Sequence, residues 1–170
     1  MLVIWEAVLL VSGTMHKLDG TDTRLLLALT DDPRSSIVAL AEKLGLSRNT
    51  VQARLSAIDS TDVLASFERR INPAAIGYPL SAFISVHLQQ HKLAAIVDEL
   101  KTIPEIIQAH GLSGQSDLLI RVVATDADDL FRVSSLILAC DGVERAETSL
   151  AMGELIPFRA APLLERTQRG

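Results

Sequence analysis

The sequence predicts an α+β chain: an N-terminal winged helix-turn-helix domain, then a C-terminal ferredoxin-like domain of order β-α-β-β-α-β. Two observations lead there. From Leu18 to about Ser60, apolar residues recur at helical spacing in three short runs with tight connections. Beyond them the rhythm shifts to period two, broken by two amphipathic helical runs. Composition permits both parts. Of 170 residues, 48% are hydrophobic and only 4% aromatic, enough for two small cores built from Leu, Ile, Val and Ala.

The first 16 residues read as an N-terminal extension. Their apolar run lacks a preceding basic residue, is interrupted by Glu6, and is too short to span a bilayer, so it is not read as a signal peptide or anchor. Two readings stand: a strand or arm that packs on a partner, or an upstream start with Met15 as the true first residue. The helix-turn-helix domain is expected over 17–70. "LDGTDTRLLLAL" puts Leu25, Leu26 and Leu29 on one stripe, with Asp19 and Thr21 available as caps. Asp31, Asp32 and Pro33 break the chain, and Ser35 or Ser36 caps a second helix carrying Ile37, Leu40, Ala41 and Leu44. Gly45 stops it in a left-handed turn. Ser47 then caps a third helix whose inward stripe is Val51, Leu55 and Ile58.

"VLASFERRI" alternates like a wing strand, and residues 71–79, with two prolines and a glycine, read as a linker. The second domain is expected over 80–162. "LSAFISVHLQ" is its first strand, "KLAAIVDELKTI" its first helix, and "EIIQAHGLSG" and "DLLIRVVAT" are strands around a glycine-containing turn. "DADDLFRVSSLILA" is helical behind acidic residues that suit the helix dipole. "GVERAETSLAM" follows, and "ELIPFRA" is a terminal strand. Helices cover one sheet face, so the other face is expected to pair with a second copy. Residues 163–170 read as a mobile tail.

The spacing Ala41-x3-Gly45-x5-Val51 meets the steric needs of a helix-turn-helix: a small residue for close approach, glycine for the turn, a branched residue to lock the second helix. With Val51, Leu55 and Ile58 inward, Asn49, Gln52, Ala53 and Ser56 point outward, flanked by Arg48 and Arg54. Asn and Gln pair with adenine edges, and arginine reaches phosphate or guanine. Ser47 and Thr50, at the helix start, complete the predicted DNA-contacting set. The formal net charge is −5. Yet Lys43 to Ile58 holds three basic residues and no acid, whereas residues 71–170 hold eight basic and twelve acidic ones. Local charge decides where a polyanion docks. Taken alone, the stretch reads equally as an ordinary solvated helix. Arg69 and Arg70 read as phosphate contacts or as plain edge-strand charges.

Other chemistry is set aside. A single cysteine, Cys140, forms no intramolecular disulfide and no multi-cysteine metal site, and suits a reducing cytoplasm. His87 and His91 have a metal-compatible spacing for a helix but fall at a strand end, so no metal is expected. No nucleophile elbow, phosphate loop or paired-carboxylate signature is present, so neither an enzyme nor a cofactor is expected.

Taken in order, these motifs resemble the leucine-responsive and asparagine-related regulators, the Lrp/AsnC or feast/famine family, from about Leu18 to Pro162. The carriers are "LDGTD", Asp31 to Arg34, "LAEKLGLSRNTVQARL", "INPAAIGY", "GLSGQSDLLIRV" and "DGVERAETSLAM". The resemblance implies a cytoplasmic transcriptional regulator that binds double-stranded DNA and responds to an amino acid. It also implies homodimers that assemble into tetramers or octamers, with the effector between subunits. The stretch departs from the family pattern at Asp62, where glycine is usual, and at Gln115 and Ser116. The effector set implied is Gly111, Ser113, Gly114, Gln115, Ser116 and Asp117, with Thr148 on a later strand. Backbone amides there suit a carboxylate, and Asp117 or carbonyls suit an ammonium. The competing reading is a hairpin connection, with Gly111 and Gly114 at positive φ and Asp117 as a turn cap. The alternative function is a stand-alone amino-acid sensor or interaction module without specific DNA binding.

Overall fold

A computed structural model of the chain describes residues 18–168. The expectations for the N-terminal extension lie outside the described residues. The chain forms two compact units: one of the residues up to Phe67 together with those from Ile156 onward, the other Glu68–Leu155.

In the first unit, the head, α1 spans Gly20–Asp31, α2 Ile37–Leu44 and α3 Arg48–Asp59. Each begins where the sequence supplies a cap. Asp19 accepts from the amides of Thr21 and Asp22 at 2.7 and 2.8 Å, and Asp22 reaches back to the Asp19 amide, a reciprocal capping box. Ser36 caps α2 and Ser47 caps α3. Gly45 ends α2 at φ 67°, ψ 37°, the left-handed geometry that glycine reaches without strain. Leu25, Leu40, Val51 and Ile58 meet in the head core, each at most 1% exposed. Removing four such side chains from water is the main force closing a domain this small.

The head lacks the predicted wing strand. Past α3 the chain turns, and Phe67–Arg70 form a 3-10 helix. Alternation makes two faces, but a strand also needs a neighbouring backbone, and none of the four strands pairs with this segment. In the linker, Pro73–Ile76 form a second 3-10 helix capped by Asn72.

The second unit has β1 Leu80–Leu88, α4 Leu93–Leu100, β2 Ile106–Gly111, β3 Leu118–Ala124, α5 Ala127–Ala139 and β4 Val143–Leu150. The strands lie in the order β2-β3-β1-β4, all neighbours antiparallel. Ile84 stands opposite Ile120 on one side and Thr148 on the other. Ala82, Ile84 and Val86 of β1 and Ile120 and Val122 of β3 pack with Ile96 and Leu100 of α4 and Val133 and Ile137 of α5. Both helices therefore cover one face. The alternate residues of β1 and β3, among them Phe83, Ser85 and Arg121, project from the other face, where the Arg121 guanidinium lies 6.0 Å from the Phe83 ring centre. Asp126 caps α5 by accepting from the Asp129 amide at 2.8 Å, the helix start read in "DADD".

"ELIPFRA" forms no strand. The sheet gains one more bond, from the Ala151 amide to the Ser81 carbonyl at 2.8 Å, and residues 152–160 then run without regular structure. Pro157 has no amide to continue a ladder. The described part of the predicted tail is instead helical: α6 spans Ala161–Gln168, in the head unit. Among the described residues no helix is long and apolar enough to cross a membrane. Nor does any group of three or more His, Cys, Asp or Glu stand ready to hold a metal ion.

Candidate nucleic-acid interface and effector turn

The inward stripe of α3 sets its outward face. Val51 and Ile58 are 0% exposed and Leu55 is half-buried, so Arg48, Asn49, Gln52, Ala53 and Ser56 stand in solvent. Ser47 and Thr50 are engaged with each other. Ser47 Oγ accepts from the Thr50 amide at 3.1 Å and lies 2.8 Å from Thr50 Oγ1, so both hydroxyls serve the helix start. A shallow concavity beside α3 brings Asn49, Thr50 and Arg54 together.

Arg48 and Arg54, symmetric in the sequence reading, differ in the structure. Arg54 Nη1 donates to Asp19 Oδ2 and Asp22 Oδ1, both at 2.7 Å. Arg54, expected to contact DNA, thus also has an intramolecular role: its Nη1 is paired with two carboxylates of α1. The pairing raises the Arg54 pKa, through Asp22 first and Asp19 second. It helps the Asp22 amide hold the Asp19 carboxyl below its ordinary value. Because Asp19 and Asp22 are the capping box of α1, Arg54 ties α3 to the start of α1. The same two acids were readable in "LDGTD", but only as caps; their meeting with a residue over thirty positions away is a tertiary fact. Lys43 likewise pairs with Asp31 at 3.1 Å, though both are largely exposed. Arg48 pairs with no acid among the described residues, which leaves its charge available to a ligand.

In the second unit, Gly111 ends β2, residues 112–117 form the turn, and Leu118 starts β3. Gly111, Ser113, Gly114 and Gln115 are exposed and Ser116 is half-buried. Neither Gly111 nor Gly114 has a positive φ, unlike in the competing hairpin reading. A Cβ added to either would meet nothing within 4 Å, so the chain itself makes no demand for glycine there. Gly142 is the opposite case: φ is 101°, and a Cβ would fall 2.7 Å from Lys92 Cδ.

Asp117 is fully engaged. Its Oδ2 accepts from the Leu88 amide at 2.9 Å and its Oδ1 from Gln90 Nε2. Its own amide donates to the Val86 carbonyl at 2.9 Å, and its carbonyl accepts from the Leu112 amide at 2.8 Å. The carboxylate thus clamps the turn to the end of β1, in the manner of the turn-cap reading. Gln90 had no role in the sequence reading, since nothing in "LQQHK" marks it. Its Oε1 is buried without a hydrogen-bond partner among the described residues. Thr148 does not join the turn within one chain. It lies on the outer strand β4, with β1 and β3 between it and β2, and its hydroxyl is 3.1 Å from Ser134 Oγ of α5.

Comparison with known proteins assigns the two units. Residues 18–57 match the AsnC-type helix-turn-helix domain, and residues 81–161 match the Lrp/AsnC ligand binding domain. The HTH-type transcriptional regulator AldR of Mycolicibacterium smegmatis is 36% identical over 143 residues, covering 81% of this chain and 83% of AldR. In fold, the chain is similar to Escherichia coli AsnC, with a TM-score of 0.78 at 22% identity over 86% of this chain and all of that one. It is also similar to a Neisseria meningitidis transcriptional regulator solved as its L-Met complex, with a TM-score of 0.74 at 24% identity, covering 83% and 94% of the two chains.

Proposed function

The chain belongs to the Lrp/AsnC family and is a DNA-binding transcriptional regulator, not an enzyme, and on that premise we propose that it reads a specific operator and answers to an amino acid. The observation that carries the first half is the face of α3: Arg48, Asn49, Gln52 and Ser56 exposed together, with the Arg48 charge unspent. In this reading α3 enters the major groove, Asn49 and Gln52 meet base edges, and Arg48 meets a phosphate or guanine. Ser47 and Thr50 frame the helix start, and Arg54 aims the helix by holding α1.

The second half rests on the turn. Gly111, Ser113, Gly114, Gln115 and Ser116 offer exposed backbone and small hydroxyls to a carboxylate, while Asp117 acts by holding the turn in shape. The open sheet face around Phe83 supports pairing with a second copy that would complete the pocket, whereas the Thr148 hydroxyl turns to Ser134 of α5 on the helix-covered face and would join it only from a different side. Homodimers joined by that face would assemble into tetramers or octamers in the cytoplasm, and the effector would shift assembly or DNA affinity through linkage. The L-Met bound by the Neisseria regulator makes methionine one of the first effectors to try.

The test is binding of the full chain to duplex DNA from upstream of its own gene and to a scrambled duplex, with and without each of the twenty amino acids. A preference for its own duplex, altered by an amino acid that also raises the melting temperature, is expected. Equal affinity for both duplexes rejects operator recognition. Indifference to all twenty amino acids rejects the effector class.

A further inference from the structure

The chain crosses between its two units twice. It leaves the head after Phe67, builds the whole sheet domain, and returns to the head at Ile156. There α6 packs on α1, with Leu164 half-buried against the core of Leu25, Leu40, Val51 and Ile58. An eight-residue helix is too short to sustain itself in water, so its helicity depends on that seat. Its neighbour Leu163 is 62% exposed, and Pro162, Glu165 and Arg166 also face solvent. The attachment therefore turns on Leu164. The two matched family domains end at residues 57 and 161, so α6 beyond its first residue falls outside both.

We propose that α6 is a working part of the DNA-binding head: a clasp by which the end of β4 keeps hold of α1. The reason lies in what α1 carries. Asp19 and Asp22 at its start hold Arg54 of α3. Arg24 donates from Nη2 to the Leu44 carbonyl at the end of α2, at 2.8 Å. One helix thus places both members of the helix-turn-helix, and α6 backs that helix. Residues 151–160 connect β4 to the clasp, so the sheet domain is joined to the head through them as well as through the linker before β1. Docked, α6 steadies α1 and keeps α3 aimed; undocked, it leaves part of the head core exposed. The clasp rests on DNA binding and not on the identity of any effector.

Full-length Leu164→Asp is expected to raise hydrogen exchange of the α1 amides about tenfold and to weaken binding to the upstream duplex by a similar factor, with exchange in β1 and β3 unchanged. Leu163→Asp, a charge at the exposed neighbouring position, is expected to match wild type in both. Wild-type α1 exchange and DNA affinity in Leu164→Asp overturn the clasp. So does an equal loss in Leu163→Asp. Raised α1 exchange with unchanged DNA affinity also overturns it, because α6 would then be a prop without consequence for recognition. If Leu164→Asp fails to fold, Leu164→Ala is read by the same criteria, with an expected change of roughly threefold.

Discussion

On α3, the side chains suited to a ligand stand exposed on a helix whose aim is already set by the Arg54 ion pairs. In the turn from Gly111 to Asp117, the one charged group is consumed by Leu88 and Gln90, and Thr148 lies across the sheet. The surface proposed to read DNA thus lies on one helix of one chain. The proposed effector turn is a braced frame whose named contacts do not meet within one chain. Preorganisation suits a groove whose shape varies little. A divided site suits a signal that must be coupled to assembly.

Six substitutions, in four sets, would break or sharpen that contrast, taken from the largest expected effect. Val51→Asp puts an unpaired carboxylate where exposure is 0%, which costs about 3–5 kcal/mol or more. It should unfold the head and abolish DNA binding, while calorimetry still records melting of the sheet domain with its separate core. A single shared transition, lost in the variant, would show that the two cores are not independent.

Asp117→Ala leaves the Leu88 amide and the Gln90 amide group without their acceptor, a loss of roughly 1–3 kcal/mol. The melting temperature of the sheet domain should fall and the amino-acid response with it, with DNA binding retained. Gly114→Asp has open space and should fold normally, yet lose the response. An undiminished response in both variants would remove the turn from the effector site.

Arg48→Ala should leave thermal stability untouched, weaken DNA binding about tenfold, or ~1.4 kcal/mol, and reduce the salt dependence by about one counterion. Arg54→Ala should do the reverse in emphasis, lowering head stability first and DNA binding as a consequence. Binding and melting curves of the two variants side by side would expose any error in assigning them different roles.

The smallest effect is on pH. The Asp22 amide, then Arg54, lower the Asp19 pKa below 3.8. The stabilisation from a depressed carboxyl is fully present above the ordinary value and fades as pH falls through the lower folded one. Acid unfolding of the head should therefore begin at higher pH in Asp19→Asn, read by helical circular dichroism. An unshifted acid midpoint would show that the capping box adds nothing there.

Much of this was legible in one dimension. Helix caps at Asp19, Ser36 and Ser47, the stop at Gly45 and the inward stripe of α3 act over three or four residues, so local spacing states them. The four strands and two helices of the sheet domain follow from periodicity in the same way. What failed were segments whose state turned on whether a distant partner was there. "VLASFERRI" and "ELIPFRA" have the makings of strands but no neighbouring backbone in the sheet. Residues 163–168, read as part of a tail, are helical because α1 offers Leu164 a seat.

By itself, then, the order of residues determined most of the elements, the faces they bury and the family to which they belong, because periodicity and capping are short-range. Only the tertiary structure decided which charges remain for a ligand. Arg48 and Arg54 lie on one helix, six residues apart, with the same chemistry. The capping box of α1 neutralises one and leaves the other, since an ion pair depends on separation in space and not along the chain.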